Sequence, residues 1–287
     1  MAYLHIPNLY KEQDILLLKE CFALEKIHGS SAHVAFNPDG LITFFAGGTK
    51  HEDFVKLFDE NKLKENYTVL NVPAKIVVFG EAYGGKMQGM STTYGNQLRF
   101  VAFEVKIDEN WLDVPNAEDV AVNLGFDFVF YKKIPTTIEA LNAERDADSV
   151  QAIKNGMGAG HMREGIVLRP MIEMTRNNGN RIIAKYKRDD FSETKTKRSL
   201  TQDDINVLIE AEAIANEWVT PMRLQHVLDK MPADISIEQT REVINAMIED
   251  IRREAEGEIE LSKKATIAIG KATAQMYKKY LNERIGK

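Results

Sequence analysis

Apolar and polar residues alternate in short runs over the first two thirds of the chain, which is the pattern of β-strands. Two β-prone runs at 33–36 and 41–45 flank the turn sequence Asn-Pro-Asp-Gly, and together they predict a β-hairpin. Further strands are predicted at 76–79, 100–105, 128–131, 166–168 and 182–186. Helical segments are predicted between them, near 113–124, 137–145 and 147–155. Hairpins with irregularly placed helices favour an α+β fold with mixed or antiparallel sheets.

The last third of the chain has a helical period, because its apolar residues recur every three or four positions. The predicted helices begin at N-capping residues, which are Thr201, Thr220 and Ser236. A final helix is predicted over about 263–282. We therefore expect an all-helical C-terminal domain over 199–287, after an N-terminal domain over 1–198, with a polar linker at 192–199.

Composition limits the cellular compartments and the kinds of site that are possible for the protein. No apolar run approaches the roughly 20 residues that span a bilayer, and the first residues lack the charged and apolar regions of a secretory signal. Cys21 is the single cysteine of the sequence, which excludes internal disulfides and multi-cysteine metal sites. We expect a monomer without membrane partners in a reducing, cytoplasmic compartment, which is the host cytoplasm if the protein is viral.

Charge is unevenly distributed. The net charge of −6 argues against a protein that only coats nucleic acid. The segment 181–198 nevertheless carries seven basic and three acidic residues. This local excess fits a phosphate-binding site, although a solvated surface is the more common role of such a run.

Several familiar site patterns are not met. Gly80 to Lys86 has the spacing of a phosphate-binding loop, but Met87 follows where that loop needs a hydroxyl side chain for Mg²⁺. The six histidines do not show zinc-ligand spacing, and the sequence lacks a Gly-x-Ser-x-Gly nucleophile motif.

Charged residues next to apolar runs remain as candidates. Lys26 precedes the hairpin, Glu81 and Glu164 adjoin predicted strands, and Lys185 and Lys187 share one face of another strand. Each one alone is more often a solvated strand end. Together they supply a nucleophile-capable amine, two carboxylates and two phosphate-binding amines.

Their order along the chain is that of a known superfamily. Five motifs match it, namely Lys-Ile-His-Gly at 26–29, Phe-Gly-Glu-Ala-Tyr-Gly at 79–84, Phe-Val-Ala-Phe-Glu at 100–104, Glu-Gly-Ile-Val-Leu-Arg-Pro at 164–170 and Ala-Lys-Tyr-Lys at 184–187. The sequence resembles the covalent nucleotidyltransferases, which include ATP-dependent DNA ligases, RNA ligases and mRNA capping enzymes. Glu-Lys-Ile-His-Gly at 25–29 and the helical last third are most similar to the phage-type RNA ligase 2 family, since DNA ligases and capping enzymes carry a β-barrel domain there.

The resemblance implies a nucleotidyltransferase (ATP-grasp-like) domain followed by a small helical domain. It also implies an ATP- and Mg²⁺-dependent RNA ligase that joins 3′-hydroxyl and 5′-phosphate ends, with nicked duplex RNA as the expected partner. Lys26 would attack the α-phosphate of ATP to give lysyl-AMP, the AMP would move to the RNA 5′-phosphate, and the 3′-hydroxyl would then displace it. The attack needs a neutral amine, whereas a free lysine is protonated near pH 7.

The resemblance also assigns roles to single residues. The implied nucleotide-binding residues are Glu25, Ile27, His28, Ser31, Glu81, Phe103, Glu164, Lys185 and Lys187. Phe103 would stack on adenine, although a core aromatic is its ordinary reading, and His28 would orient pyrophosphate. Glu164 and Glu81 are the implied metal contacts, and Arg169 is a further implied phosphate contact.

Two departures from the family pattern concern substrate binding. Ser31 stands where the phage type has asparagine, and glycines at 47–48 followed by Lys50 stand where it has a basic pair. Two other functions stay open at this point. One is a DNA ligase or capping-type enzyme of the same superfamily, and the other is a non-catalytic nucleic-acid-binding protein that retains the fold.

Overall fold

The computed structural model describes residues 3–191, 201–231, 236–256 and 258–285. It divides the chain into two compact units, Met1–Ser199 and Leu200–Lys287. The predicted linker at 192–199 lies outside the described residues, as do Lys195, Lys197 and Arg198 of the basic segment.

The first unit contains two β-sheets, and neighbouring strands in both run antiparallel. The four-stranded sheet has the order β7 (Tyr131–Pro135), β1 (Glu20–Lys26), β8 (Gly165–Arg169) and β9 (Ala184–Lys187). The five-stranded sheet has the order β3 (Ile42–Ala46), β2 (Ser30–Phe36), β4 (Ile76–Gly84), β5 (Leu98–Ile107) and β6 (Asn110–Trp111).

The helices of this unit flank the sheets. They are α1 (His51–Val55), α2 (Glu60–Leu70), α3 (Ser91–Tyr94), α4 (Val114–Leu124), α5 (Ile138–Arg145) and α6 (Val150–Lys154). Local sequence explains their ends: Asp113 caps α4 by accepting a hydrogen bond from the Asn116 N–H, and Gly125 ends it at a φ of 98°. Ala117, Ala121 and Leu124 of α4 belong to the main hydrophobic core, together with apolar side chains of β2, β4 and β5.

One face of the five-stranded sheet is therefore core. On β4, Ile76 and Val78 pack into it, so the alternate residues Phe79 and Glu81 project from the opposite face. The cavity described below is lined by β2, β4 and β5 of this sheet and by β1, β8 and β9 of the other. The α+β fold with antiparallel sheets is thus confirmed.

Single elements differ from the sequence prediction. The strand predicted at 128–131 begins only at Tyr131, because the backbone before it pairs locally with Ala102 of β5 instead. Helix α2 was not predicted, since it is mostly polar and Leu63 is its one buried residue.

The second unit is helical in its described residues. It comprises α7 (Gln202–Trp218), α8 (Pro221–Leu228), α9 (Thr240–Glu254) and α10 (Lys263–Ile285). The predicted capping box is present at Thr201, which exchanges hydrogen bonds with Asp204. None of the helices in the described residues combines the length and apolar character that crossing a membrane requires.

Candidate active site

A cavity of about 260 Å³ lies between the two sheets of the first unit. Most of the predicted site residues line it, namely Glu25, Lys26, Ile27, Ser31, Glu81, Phe103 and Lys185. His28, Glu164 and Lys187 adjoin it through contacts with Lys26 and with one another. The residues that the motifs spread over 160 positions of sequence therefore meet in one place.

Backbone pairing explains how the strands bring these residues together. Lys26 is the last residue of β1 and pairs with Gly165 of β8, which in turn pairs with Lys187 of β9. Gly165 has a φ of 152°, and a Cβ there would lie 2.3 Å from the Tyr186 carbonyl oxygen. Only glycine therefore lets β9 approach this closely and place Lys187 beside Glu164.

Glu164 is the centre of a group that we call the Glu164 cluster, formed by Lys26, His28, Glu164 and Lys187. Its Oε2 lies 2.9 Å from Lys26 Nζ and 3.2 Å from His28 Nδ1, and its Oε1 lies 2.8 Å from Lys187 Nζ. Burial alone would raise the pKa of Glu164, but the hydrogen bond from His28 and the two lysines lower it to about 2. One ionised carboxylate thus orients three basic side chains.

Glu81 faces the same space from β4. Burial raises its pKa to about 7, and the nearby Lys26 charge opposes that rise only in part. Gly29 lets the chain after Lys26 lie close against β4 beside Glu81, because a Cβ at position 29 would lie 2.3 Å from the Ala82 carbonyl oxygen. The two carboxylates at Lys26 therefore differ in proton affinity, with Glu164 ionised and Glu81 able to titrate near neutrality.

Glu25 lines the cavity, but its carboxylate serves another element. It accepts hydrogen bonds from Ser149 Oγ at 2.5 Å and from the backbone N–H groups of Val150 and Gln151 at 3.0 and 3.2 Å. These groups form the start of α6, where an anionic acceptor is favourable. Burial nevertheless raises the pKa of Glu25. The side chain thus anchors α6 against β1, and the nucleoside contact expected from the sequence stays a prediction.

The far end of the cavity holds a second charged group, the Glu104 cluster, formed by Tyr3, Glu104, Arg169, Glu173 and Arg181. Arg169 Nη1 lies 3.0 Å from Glu104 Oε1 and its Nη2 lies 2.5 Å from Glu173 Oε2. Arg181 also binds both carboxylates, and Tyr3 donates its hydroxyl to Glu104. Arg169 is 1% exposed and pairs with Glu104 and Glu173, so the structure places it in this buried network, and its phosphate contact stays a prediction.

Phe103 lines the cavity and is the sequence neighbour of Glu104. The register of β4 and β5 shifts between Phe79 and Gly80, which leaves Phe103 as the extra, unpaired residue of a bulge in β5. A regular strand would point Phe103 and Glu104 to opposite faces, whereas here both side chains reach Tyr3. The bulge therefore brings two consecutive side chains to the same end of the cavity.

Sequence reasoning did not identify the segment 3–6. Tyr3, Leu4, His5 and Ile6 all line the cavity. The segment has neither strand nor helix periodicity, and its contacts are with residues about 100 positions away. A tyrosine in this short segment was therefore no usable signal.

The acidic residues present fit a divalent cation such as Mg²⁺. Glu81 and Glu164 approach Lys26 from the two sheets, and Mg²⁺ typically takes one or two carboxylates and completes its shell with water and substrate phosphate. Among the described residues, the structure shows no group of three or more His, Cys, Asp or Glu able to hold a metal by itself. A cation here would therefore depend on ligands from a bound nucleotide.

Comparison with known proteins agrees with this site. The family model described as RNA ligase matches residues 19–187, which is more than half of the chain and includes all five motifs. This chain belongs to the RNA ligase family. No curated protein matches the sequence.

Solved structures similar to this RNA ligase family member include an RNA ligase of Naegleria gruberi in several forms. A lysine-to-alanine mutant without ligand superposes with a TM-score of 0.52 at 15% identity, and another lysine-to-alanine mutant with ATP and Mn with 0.51 at 16%. A lysine-to-methionine mutant with AMP and Mn also gives 0.51, at 15%. Each match covers 67% of this chain and 57% of the other, so this chain corresponds to little more than half of that protein.

Proposed function

We propose that this protein is an ATP-dependent RNA ligase that joins 3′-hydroxyl and 5′-phosphate ends through lysyl-AMP and RNA-adenylate intermediates. The observation that carries the proposal is the position of Lys26, whose amine lies 2.9 Å from Glu164 beside a cavity between two sheets. The match to the RNA ligase family over 19–187 supports the same chemistry.

Adenylylation of Lys26 is the first proposed step. The Lys26 nitrogen forms a bond to the α-phosphorus of ATP, the bond from that phosphorus to the bridging oxygen breaks, and pyrophosphate leaves. The proton that the amine must lose goes to solvent or, when Glu81 holds no cation, to that carboxylate, whose pKa of about 7 then suits it as acceptor. Lys185 and Lys187 would offset the charge that develops on phosphate.

Nucleotide and metal binding follow from the same residues. Phe103 is the aromatic that a purine base could stack against, and Ser31 and Ile27 line the adjacent wall. Glu164 and Glu81 would hold Mg²⁺, which supplies charge stabilisation at the phosphates when bound. We propose His28 as a contact of the pyrophosphate, because its ring is fixed by Glu164 and by Phe191.

The proposal also covers the RNA substrate and the roles of the two units. We propose 1–198 as the adenylyltransferase domain and 199–287 as the domain that supports sealing of nicked duplex RNA by a monomer. Cys21 is buried and free, which fits the reducing cytoplasm as the place of action. Removal of the residues after Lys197 should leave lysyl-AMP formation intact and impair sealing. Equal sealing by the truncated protein would contradict the role of the second domain.

The central test is transfer of label from α-labelled ATP to the protein in the presence of Mg²⁺, followed by denaturation. We expect the full chain to retain label and Lys26→Ala to retain none. Lys133→Ala is the matched control, because Lys133 lies in the same sheet and pairs with a glutamate, Glu20, at the surface. Absence of label on the wild-type chain with any nucleotide would contradict the proposal and favour a binding protein.

A second set of assays separates the enzymes of this superfamily. Sealing is measured on nicked duplex RNA, nicked duplex DNA and single-stranded RNA. We expect the fastest sealing on nicked RNA. Labelling by GTP in place of ATP would identify a capping-type enzyme, and sealing of nicked DNA alone would identify a DNA ligase.

A further inference from the structure

The cavity has a wall that none of the five motifs supplies. Residues 3–9, which we call the strap, cross from one sheet to the other. Tyr3, Leu4, His5 and Ile6 line the cavity itself, and Pro7 and Leu9 bind the edge of the four-stranded sheet.

The strap is fixed to the strand that carries Lys185. The Lys185 N–H donates to the Pro7 carbonyl at 2.9 Å, and the Leu9 N–H donates to the Lys185 carbonyl at 2.9 Å. Asn8 between them forms a parallel bridge with Lys185, and Leu9 is 1% exposed. Both main-chain hydrogen-bonding groups of Lys185 are therefore held by the strap.

The other end of the strap is fixed to the five-stranded sheet. The Tyr3 ring lies edge-on to Phe103 at 5.0 Å between centroids, and it also contacts Phe79 at 5.2 Å and Trp111 at 6.1 Å. Its hydroxyl donates to Glu104, which Arg169 and Arg181 also bind. Edge-to-face packing of this kind fixes the plane of the ring that it contacts.

These contacts lead to a role for the strap that rests on the proposed ATP-dependent function. We propose that residues 3–9 form one wall of the nucleotide pocket and that Tyr3 is a positioning residue, which holds Phe103 at the angle at which a purine base stacks on it. Tyr3 acts through Phe103 and Glu104. It takes no part in the phosphate chemistry at Lys26.

A positioning role of this kind predicts a split between binding and chemistry. Loss of the Tyr3 ring removes the edge-on contact that holds Phe103, so we expect Tyr3→Ala to raise the Kd and the KM for ATP about tenfold. The rate of lysyl-AMP formation at saturating ATP should change less than about threefold, because the Glu164 cluster is untouched. Tyr3→Phe keeps the ring and should bind ATP within about threefold of the parent.

Binding is measured by titration calorimetry with ATP and with GTP, using the full chain carrying Lys26→Ala so that covalent transfer cannot occur. Tyr67→Ala is the matched control, since Tyr67 also stacks on a phenylalanine, at 5.4 Å from Phe36, and donates its hydroxyl to a carbonyl. It packs against the core away from the cavity, and it should leave the Kd for ATP unchanged.

Each outcome decides the inference. An unchanged Kd for ATP in folded Tyr3→Ala would overturn it, as would a fall in the saturating rate with no change in KM. If Tyr3→Ala does not fold, Tyr3→Leu keeps the apolar volume without the aromatic edge and is judged by the same criteria. A wild-type chain that binds ATP but never forms lysyl-AMP would contradict the proposed function alone, and a Lys26→Ala chain that does not bind ATP would contradict both.

Discussion

The two charged groups of the cavity differ in how their charges are balanced. In the Glu164 cluster, one carboxylate contacts three basic side chains. In the Glu104 cluster, two carboxylates bind two guanidinium groups, and a tyrosine hydroxyl adds a further hydrogen bond. The first arrangement has positive groups to offer to an anionic ligand, whereas the second is neutralised within the protein.

Exposure follows the same division. Lys26 and Lys187 are 22% and 14% exposed, while Arg169 and Arg181 are 2% and 5% exposed by their side chains. Solvent access keeps the lysines available to a ligand, whereas the arginines are part of the interior. The comparison teaches that basic residues around one cavity can differ sharply in pairing and burial, and this difference supports the proposal that the lysines serve chemistry while the arginines serve architecture.

The largest expected effect comes from a change that keeps the charge of the Glu164 cluster and removes its proposed nucleophile. Lys26→Arg should lower the rate of lysyl-AMP formation at least about 10⁴-fold, because a guanidinium stays protonated near neutral pH and is not a nucleophile. Its Kd for ATP should stay close to that of the parent. Labelling and calorimetry measure the two quantities, with Lys133→Arg as the surface control. Retained labelling would show that Lys26 is not the attacking group.

Breaking the Glu104 cluster should act on stability. Arg181→Met leaves the buried carboxylate of Glu104 and the half-buried one of Glu173 with one guanidinium, so we expect the free energy of unfolding to fall by about 3–5 kcal/mol. Denaturant unfolding measures it. Arg253→Met in the second unit is the control, because its pair with Asp250 is 62% exposed on the arginine side and should contribute at most about 1 kcal/mol. Equal effects of both changes would refute the architectural role.

Breaking the Glu164 cluster should act mainly on activity. In Glu164→Gln the amide cannot orient Lys26, His28 and Lys187 as the carboxylate does, and we expect about a hundredfold slower lysyl-AMP formation. The unfolding free energy should fall by less than in Arg181→Met, since the lysines can turn to solvent whereas the arginines of the Glu104 cluster are buried. A large loss of stability with an unchanged rate would reverse the comparison.

The smallest effect is a pH dependence of unfolding, measured without metal and in the presence of EDTA. The pKa of Glu81 rises from 4.5 to about 7 on folding, so the folded state holds the proton longer and the contribution of Glu81 to stability falls as pH increases across that window. The pKa of Glu164 falls from 4.5 to about 2, so its contribution is present above 4.5 and is lost as pH decreases towards 2.

Variants assign each slope to its carboxylate. Glu81→Gln should remove the decline between pH 4.5 and 7, and Glu164→Gln should remove the acid-side loss. Asp113→Asn, at an exposed helix cap, should leave both slopes in place. If Glu81→Gln retains the full decline, another group titrates in that window.

The sequence contains enough information for the strands, the caps and the residues around Lys26. The hairpin at 33–45 and the capping box at Thr201 are local, and short-range patterns report them directly. The residues of the Glu164 cluster are distant in sequence, and they were grouped through the family resemblance. Their contacts in the structure show that the grouping is also spatial.

Other features depend on contacts that a local pattern does not encode. The carboxylate of Glu25 turns to α6, and Arg169 turns to Glu104, because each finds partners more than 50 residues away. The strap has one bridge to a strand and little periodicity of its own, so its place in the cavity could not be inferred from its residues. Tertiary contacts determine where Glu25, Arg169 and the strap lie.

The bulge in β5 makes the length of this strand as important as its composition. Phe103 and Glu104 are adjacent, yet one faces the proposed base site and the other anchors the buried arginines, because one extra residue lies opposite Phe79 and Gly80. Removing a single residue here would restore regular alternation and turn one of the two side chains into the core. Among relatives of this protein, we therefore expect substitutions in β5 to be far more common than insertions or deletions.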